Sequence, residues 1–271
     1  MTAGAERVAA GPDKRSELRS DKRSDKWPYP TVVAHRCGGK LAPENTLAGL
    51  DEAVRFHTSM VEFDAKLSAD DVVFLLHDDD VDRTSNGTGP AAHMTYAALS
   101  ALDAGGWFDA SFAGQKMPTL EAVAERCRAL GLAANVEIKP CPGRDVETGT
   151  RVALAVREHW GGAPVPPLLS SFSETALAAA LEAAPEIARG VLFERVPDDW
   201  HARAQRLACV SVHFDHTRID AQRIDAIRAS GYRTLAYTVN DLDRARVLRA
   251  WGVDAICTDR IDIINSRTLV E

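Results

Sequence analysis

The chain has 271 residues, 45% of them apolar and 26% charged, enough to bury the core of one large domain or two small ones. Its net charge of −7 excludes broad, sequence-independent nucleic-acid binding, which needs an electropositive face. An anionic small molecule stays open, because one local metal ion can reverse the field inside a pocket. No run reaches the roughly 18 apolar residues of a membrane span. The N-terminus lacks the basic, apolar, small-residue order of a secretion signal. The five cysteines are an odd number, scattered, without a C-x-x-C pair, a poor disulfide framework and a poor zinc site. The expectation is a cytoplasmic protein without stable membrane association.

In chain order, residues 1–26 carry seven basic and five acidic side chains, several serines and few apolar residues. Such a stretch cannot repay its ordering entropy and is expected to be a disordered tail. Residues 27–271 are expected to form one domain. Strand-like runs recur at 31–35, 60–67, 72–76, 135–139, 168–171, 190–193, 209–214, 233–239 and 254–257. Helical stripes stand between most of them. Leu47, Leu50 and Val54 follow Pro43 and Asn45, residues suited to a helix start, and Leu120, Val123 and Cys127 follow Pro118 and Thr119. Ile219, Ile224 and Ile227, then Leu242, Ala245 and Leu248, mark late helices. Strands alternating with helices imply parallel βαβ units. Nine strands are one too many for an eight-stave barrel, but residues 68–71 leave room only for a tight turn, so 72–76 should return antiparallel. The expectation is an α/β fold, a (β/α)8 TIM barrel, with a small insertion at about 68–118 after the second barrel strand.

A barrel gathers the residues at the C-terminal ends of its staves on one face. Glu62 and Asp64, two apart on a strand, point to the same side while Phe63 packs on the other; Glu137 and Lys139 repeat the device around Ile138. Three inward carboxylates repel one another unless a hard, oxygen-seeking cation such as Mg2+ or Ca2+ neutralises them. His35 precedes Arg36, whose planar fork suits phosphate oxygens, and the glycines 38 and 39 let backbone approach an anion. His77 ends the returning arm beside Asp78, Asp79 and Asp80, neighbours able to raise its pKa or to fix its tautomer. Arg83 reads as a structural clamp. His213 and His216 stand near a late stave end, within reach of a pocket. His57, His93, His159 and His201 read as structural or solvent-facing. Dinucleotide, phosphate-loop and serine-nucleophile motifs are missing.

In this order, His35-Arg36-Cys37-Gly38-Gly39, Pro43-Glu44-Asn45-Thr46, Glu62-Phe63-Asp64, His77-Asp78, Arg83-Thr84-Ser85-Asn86-Gly87 and Glu137-Ile138-Lys139 resemble the glycerophosphodiester phosphodiesterase family. Tyr237-Thr238-Val239-Asn240 and the segment from Gly252 to Asp259 extend the resemblance over about 31–264. It implies a metal-dependent barrel enzyme that converts a small-molecule glycerophosphodiester to sn-glycerol 3-phosphate and an alcohol. By resemblance, His35 and His77 are the catalytic acid–base pair, and Glu62, Asp64 and Glu137 hold one divalent ion. Arg36 and Lys139 contact phosphate, Glu44 organises the mouth of the substrate site, and Tyr237 lies at its rim. One departure stands out: Cys37 occupies the position where the family commonly has glycine. Both a monomer and a homodimer fit the sequence, which identifies no interface.

Overall fold

The computed structural model describes residues 27–269, so the tail expected over 1–26 lies outside the described residues. The strands are β1 (Val32–Ala34), β2 (Met60–Leu67), β3 (Val73–Leu75), β4 (Ala133–Ile138), β5 (Leu168–Ser171), β6 (Ala188–Phe193), β7 (Ser211–Asp215), β8 (Arg233–Tyr237) and β9 (Ala255–Thr258). The α-helices are α1 (Leu47–Arg55), α2 (Tyr96–Ala101), α3 (Leu120–Leu130), α4 (Asp145–His159), α5 (Glu174–Ala183), α6 (Trp200–Arg206), α7 (Ala221–Ala229) and α8 (Leu242–Ala250). All strands but β3 run parallel, and β1 pairs with both β9 and β2, which closes the ring. The fold is the (β/α)8 barrel that the alternation of elements implies.

β3 turns back antiparallel on β2, with Leu75 opposite Ala65 and Val73 opposite Leu67. The tight turn is closed by the Ser68 N–H on the Val72 carbonyl and the Asp71 N–H on the Ser68 carbonyl. The insertion continues through two short 3-10 turns and α2, and gathers Phe74, Leu76, Val81, Leu99 and Met117 into a small core of its own. Among the described residues no helix is long and apolar enough to cross a membrane.

Most helix starts are capped by a hydroxyl or carboxylate that accepts a free N–H of the first turn: Thr119 on α3, Ser173 on α5, Asp220 on α7 and Asp241 on α8. α1 departs from expectation. Its cap is Thr46, not Asn45, because Asn45 takes a left-handed backbone conformation (φ 57°) and sends its amide into the barrel. The barrel has two unlike ends. At the N-terminal end Val33, Met60, Leu168, Leu235 and Ala255 plug the interior, with Trp27 and Tyr29 packed against them. Above the plug the inward residues turn polar. The β2–β4 register sets Glu62 beside Asn135 and Asp64 beside Glu137, while Phe63 and Ile138 face the helices as the alternation requires.

Candidate active site

The polar end of the barrel opens into a cavity of about 200 Å3 lined by His35, Arg36, Glu62, Asp64, His77 and Glu137, with Asn135, Lys139, Phe172, His213 and Tyr237 among the other walls. The ligand oxygens of Glu62, Asp64 and Glu137 all lie within 4.8 Å of one another. These side chains are buried, at 5%, 1% and 8% exposure, where carboxylates are rarely found without a partner. Burial, then the charge of Asp64, pushes the Glu62 carboxyl up to about 8. Burial and Asp64 raise Glu137 as well. Asp64 moves the other way: desolvation would raise it, but Lys139, His77, Arg36 and the Asn45 amide outweigh that and lower it. Glu62 Oε1 is buried with no hydrogen-bond partner. A buried acidic triad with an orphaned oxygen has the donor set and the charge to hold a hard divalent cation.

The imidazoles flank this triad. His35 Nδ1 lies 2.7 Å from Asp259 Oδ1 and His77 Nδ1 2.7 Å from Asp78 Oδ1. A carboxylate only accepts, so each Nδ1 carries the hydrogen and the lone pair of the neutral ring is on Nε2. His35 Nε2 is 3.9 Å from Glu62 Oε2, and His77 Nε2 accepts from Lys139 Nζ at 3.0 Å. Their surroundings differ in sign. For His35 desolvation is outweighed by Asp259 and Glu62, and its pKa is raised. For His77 desolvation, joined by the Lys139 and Arg36 charges, prevails over Asp64 and Asp78, and its pKa is lowered. Asp78 therefore fixes the tautomer of His77, while the rise in pKa that its acidic neighbours offered does not occur.

Arg36 and Lys139 bring two cations to the rim. Lys139 reaches Glu137 Oε1 at 2.9 Å and lies 5.6 Å from the half-exposed Phe172 ring. Tyr237 packs edge-on against Phe172, with its hydroxyl given to the Phe193 carbonyl at 2.9 Å, so it offers the cavity a ring. Glu44 does not line the cavity. It accepts from Arg36 at 2.8 Å and reaches the site through that residue. Arg83 bonds Glu44 and Asp78 as a clamp. Buried His213 lies in the wall, its pKa pushed down to about 3 by desolvation. His216 instead meets Arg244, and His57, His93, His159 and His201 line no part of the cavity.

Three side chains escape a reading of local sequence. Asp259 holds His35 and is itself held by the Asn240 amide at 2.7 Å. Asn45 both donates to Asp64 Oδ2 and accepts the Asp64 N–H. The only sequence signal is that all three stand within the segments that carry the family resemblance. The Cys37 departure is also resolved. Arg36 and Cys37 are both left-handed (φ 49° and 76°), a conformation costing on the order of 1 kcal/mol or more outside glycine. The turn aims the Arg36 N–H at Glu62 Oε2 (3.0 Å) and the Cys37 N–H at the Glu62 carbonyl (2.8 Å). Cys37 is buried against α1 where residue 49 is glycine; a Cβ there would sit 2.8 Å from that of Cys37. Its thiol is pushed up by burial, the setting of an inert cysteine. Gly39 keeps the turn: it is left-handed, and a Cβ would meet the Asp259 carbonyl at 2.4 Å.

Residues 35–263 match the glycerophosphoryl diester phosphodiesterase family. The YhdW protein of Bacillus subtilis is 34% identical over 238 residues, 86% of this chain and 96% of that protein. A glycerophosphodiester phosphodiesterase of Caldanaerobacter subterraneus is 32% identical over 234 residues, covering 84% of this chain and 93% of the relative. Among solved structures, an Oleispira antarctica phosphodiesterase in complex with the product sn-glycerol-3-phosphate superposes with a TM-score of 0.86 at 36% identity. That match covers 89% of this chain and 97% of the other.

Proposed function

This chain belongs to the glycerophosphoryl diester phosphodiesterase family, and from that premise we propose that it hydrolyses small glycerophosphodiesters to sn-glycerol 3-phosphate and an alcohol. His35 and His77 form the acid–base pair, and Glu62, Asp64 and Glu137 hold one divalent cation, Mg2+ or Ca2+. The observation that carries this reading is the pair of imidazoles, each with Nδ1 committed to a carboxylate, sharing one cavity with a buried acidic triad.

A phosphodiester resists water because its negative charge repels a nucleophile and its alkoxide leaves poorly. Glu62, Asp64 and Glu137 would hold a cation that, when bound, would supply positive charge against the negative charge developing on phosphate. Arg36 and Lys139 add donors for the phosphate oxygens from the rim. One ring, neutral with a bare Nε2, takes the proton of the attacking oxygen, while the other, protonated at both nitrogens, gives its Nε2 proton to the departing alcohol as the P–O bond breaks. Asp259 and Asp78, each bonded to Nδ1, leave Nε2 of both rings for the reacting oxygens. Phe172 and Tyr237 give the mouth an apolar wall.

The test is incubation with glycerophosphocholine and glycerophosphoethanolamine, with Mg2+, Ca2+ or neither, followed by identification of both products by phosphorus NMR. Cation-dependent release of sn-glycerol 3-phosphate and the free alcohol is expected. Glycerol plus a phosphorylated alcohol, or no turnover with either cation, would refute the reading.

A further inference from the structure

We infer that Arg83, on the insertion and outside the cavity wall, is a positioning residue that sets both Arg36 and His77 through their carboxylate partners. Its guanidinium holds two carboxylates at once. Nη1 and Nη2 donate to Glu44 Oε2 and Oε1, both at 2.8 Å. Nε and Nη2 donate to Asp78 Oδ2 and Oδ1 at 2.6 and 3.1 Å. The shared oxygens carry the argument. Glu44 Oε1 also accepts from Arg36 Nη1 at 2.8 Å, and Asp78 Oδ1 also accepts the His77 Nδ1 hydrogen at 2.7 Å. One chain of hydrogen bonds thus runs Arg36, Glu44, Arg83, Asp78, His77 across the mouth of the site.

The segments it joins have little else in common. Arg36 and Glu44 lie between β1 and α1, His77 and Asp78 follow β3, and among the described residues no backbone hydrogen bond links 36–46 to 77–86. A single exposed ion pair would contribute little, but a planar fork engaging two carboxylates fixes direction as well as distance. A lysine, a point charge on a flexible stem, cannot reproduce that geometry. Displacing a reacting group by about 1 Å can cost on the order of a hundredfold in rate.

The inference rests on the proposed roles of His77 and Arg36, and its test separates the two claims. Arg83→Lys and Arg83→Ala are compared with wild type in kcat and KM for glycerophosphocholine, below the lowest melting temperature of the set. For both variants kcat should fall about tenfold or more through His77, and KM should rise through Arg36. Because Arg83 and Asp78 act along one chain, the R83A/D78N double variant should be no slower than the slower single variant. Wild-type kcat and KM in folded R83K, or losses in the double variant that multiply as if independent, would overturn the inference. His77→Ala is run alongside: if it keeps full turnover, the histidine reading falls first, and the inference with it.

Discussion

His35 stands at the end of β1, where its N–H bonds the Thr258 carbonyl and its ring meets Asp259, the residue that follows β9. The barrel seam itself holds it, and the carboxylate on its ring is secured by a neutral amide, Asn240. His77 lines the same cavity from a returning arm outside the barrel ring, and its carboxylate, Asp78, is secured by the half-exposed cation Arg83. Beneath the arm, the buried Lys66 ammonium bonds Asp79 at 2.9 Å and the Lys139 carbonyl at 3.3 Å. The two imidazoles share a cavity, but the carboxylates on their rings are secured differently. One imidazole is placed by a sheet ladder that loses its geometry only when the barrel opens. The other follows β3, whose backbone is tied to β2 as far as the Leu76 N–H on the Asp64 carbonyl (3.1 Å), but its ring carboxylate is held by charges that solvent ions can screen.

If both imidazoles handle protons, replacing either with alanine should lower kcat by about 10²- to 10⁴-fold, despite their unequal supports. Steady-state rates of folded H35A and H77A decide this; a variant with near-wild-type turnover would reduce the pair to a single working histidine. The two regions converge on the acidic triad, and a cation held there by the folded state alone would stabilise that state. At about a hundredfold excess over its dissociation constant, Mg2+ or Ca2+ should add roughly 2.7 kcal/mol. Calorimetry should register this as a higher melting temperature in wild type and little or no shift in Glu62→Gln. An equal shift in the variant would place the cation elsewhere. The smallest expected effect bears on the supports themselves. Raising salt from about 0.05 to 0.5 M shortens the screening length severalfold and should lower kcat a few-fold at saturating substrate. R83K, having already lost the fork, should respond less. Identical salt profiles would mean that the arm does not depend on its ion pairs.

Much of the fold was legible because its cause is periodic. Alternating strands and helical stripes define the staves, and the four-residue link at 68–71 betrays the antiparallel return of β3. Boundaries moved where backbone pairing overrides composition: β4 begins at Ala133 instead of Asn135, and β7 at Ser211 instead of Cys209. In the site, Glu62 and Asp64 announce themselves as two carboxylates on one face of a strand whose alternate residues Val61, Phe63 and Ala65 are apolar. Glu44, expected to organise the mouth, meets the cavity wall through its hydrogen bond from Arg36.

By itself the sequence determined which residues could carry the chemistry, since strand alternation and stave ends are local properties written every two residues. Only the tertiary structure decided which of them meet. Barrel closure brings His35 to Asp259 across 224 positions, and the β3 return sets His77 against Lys139 across 62. Contacts of that span depend on how the whole ring closes, and no local pattern encodes them. The same holds for Cys37, whose tolerance rests on a missing Cβ at residue 49 in the neighbouring helix.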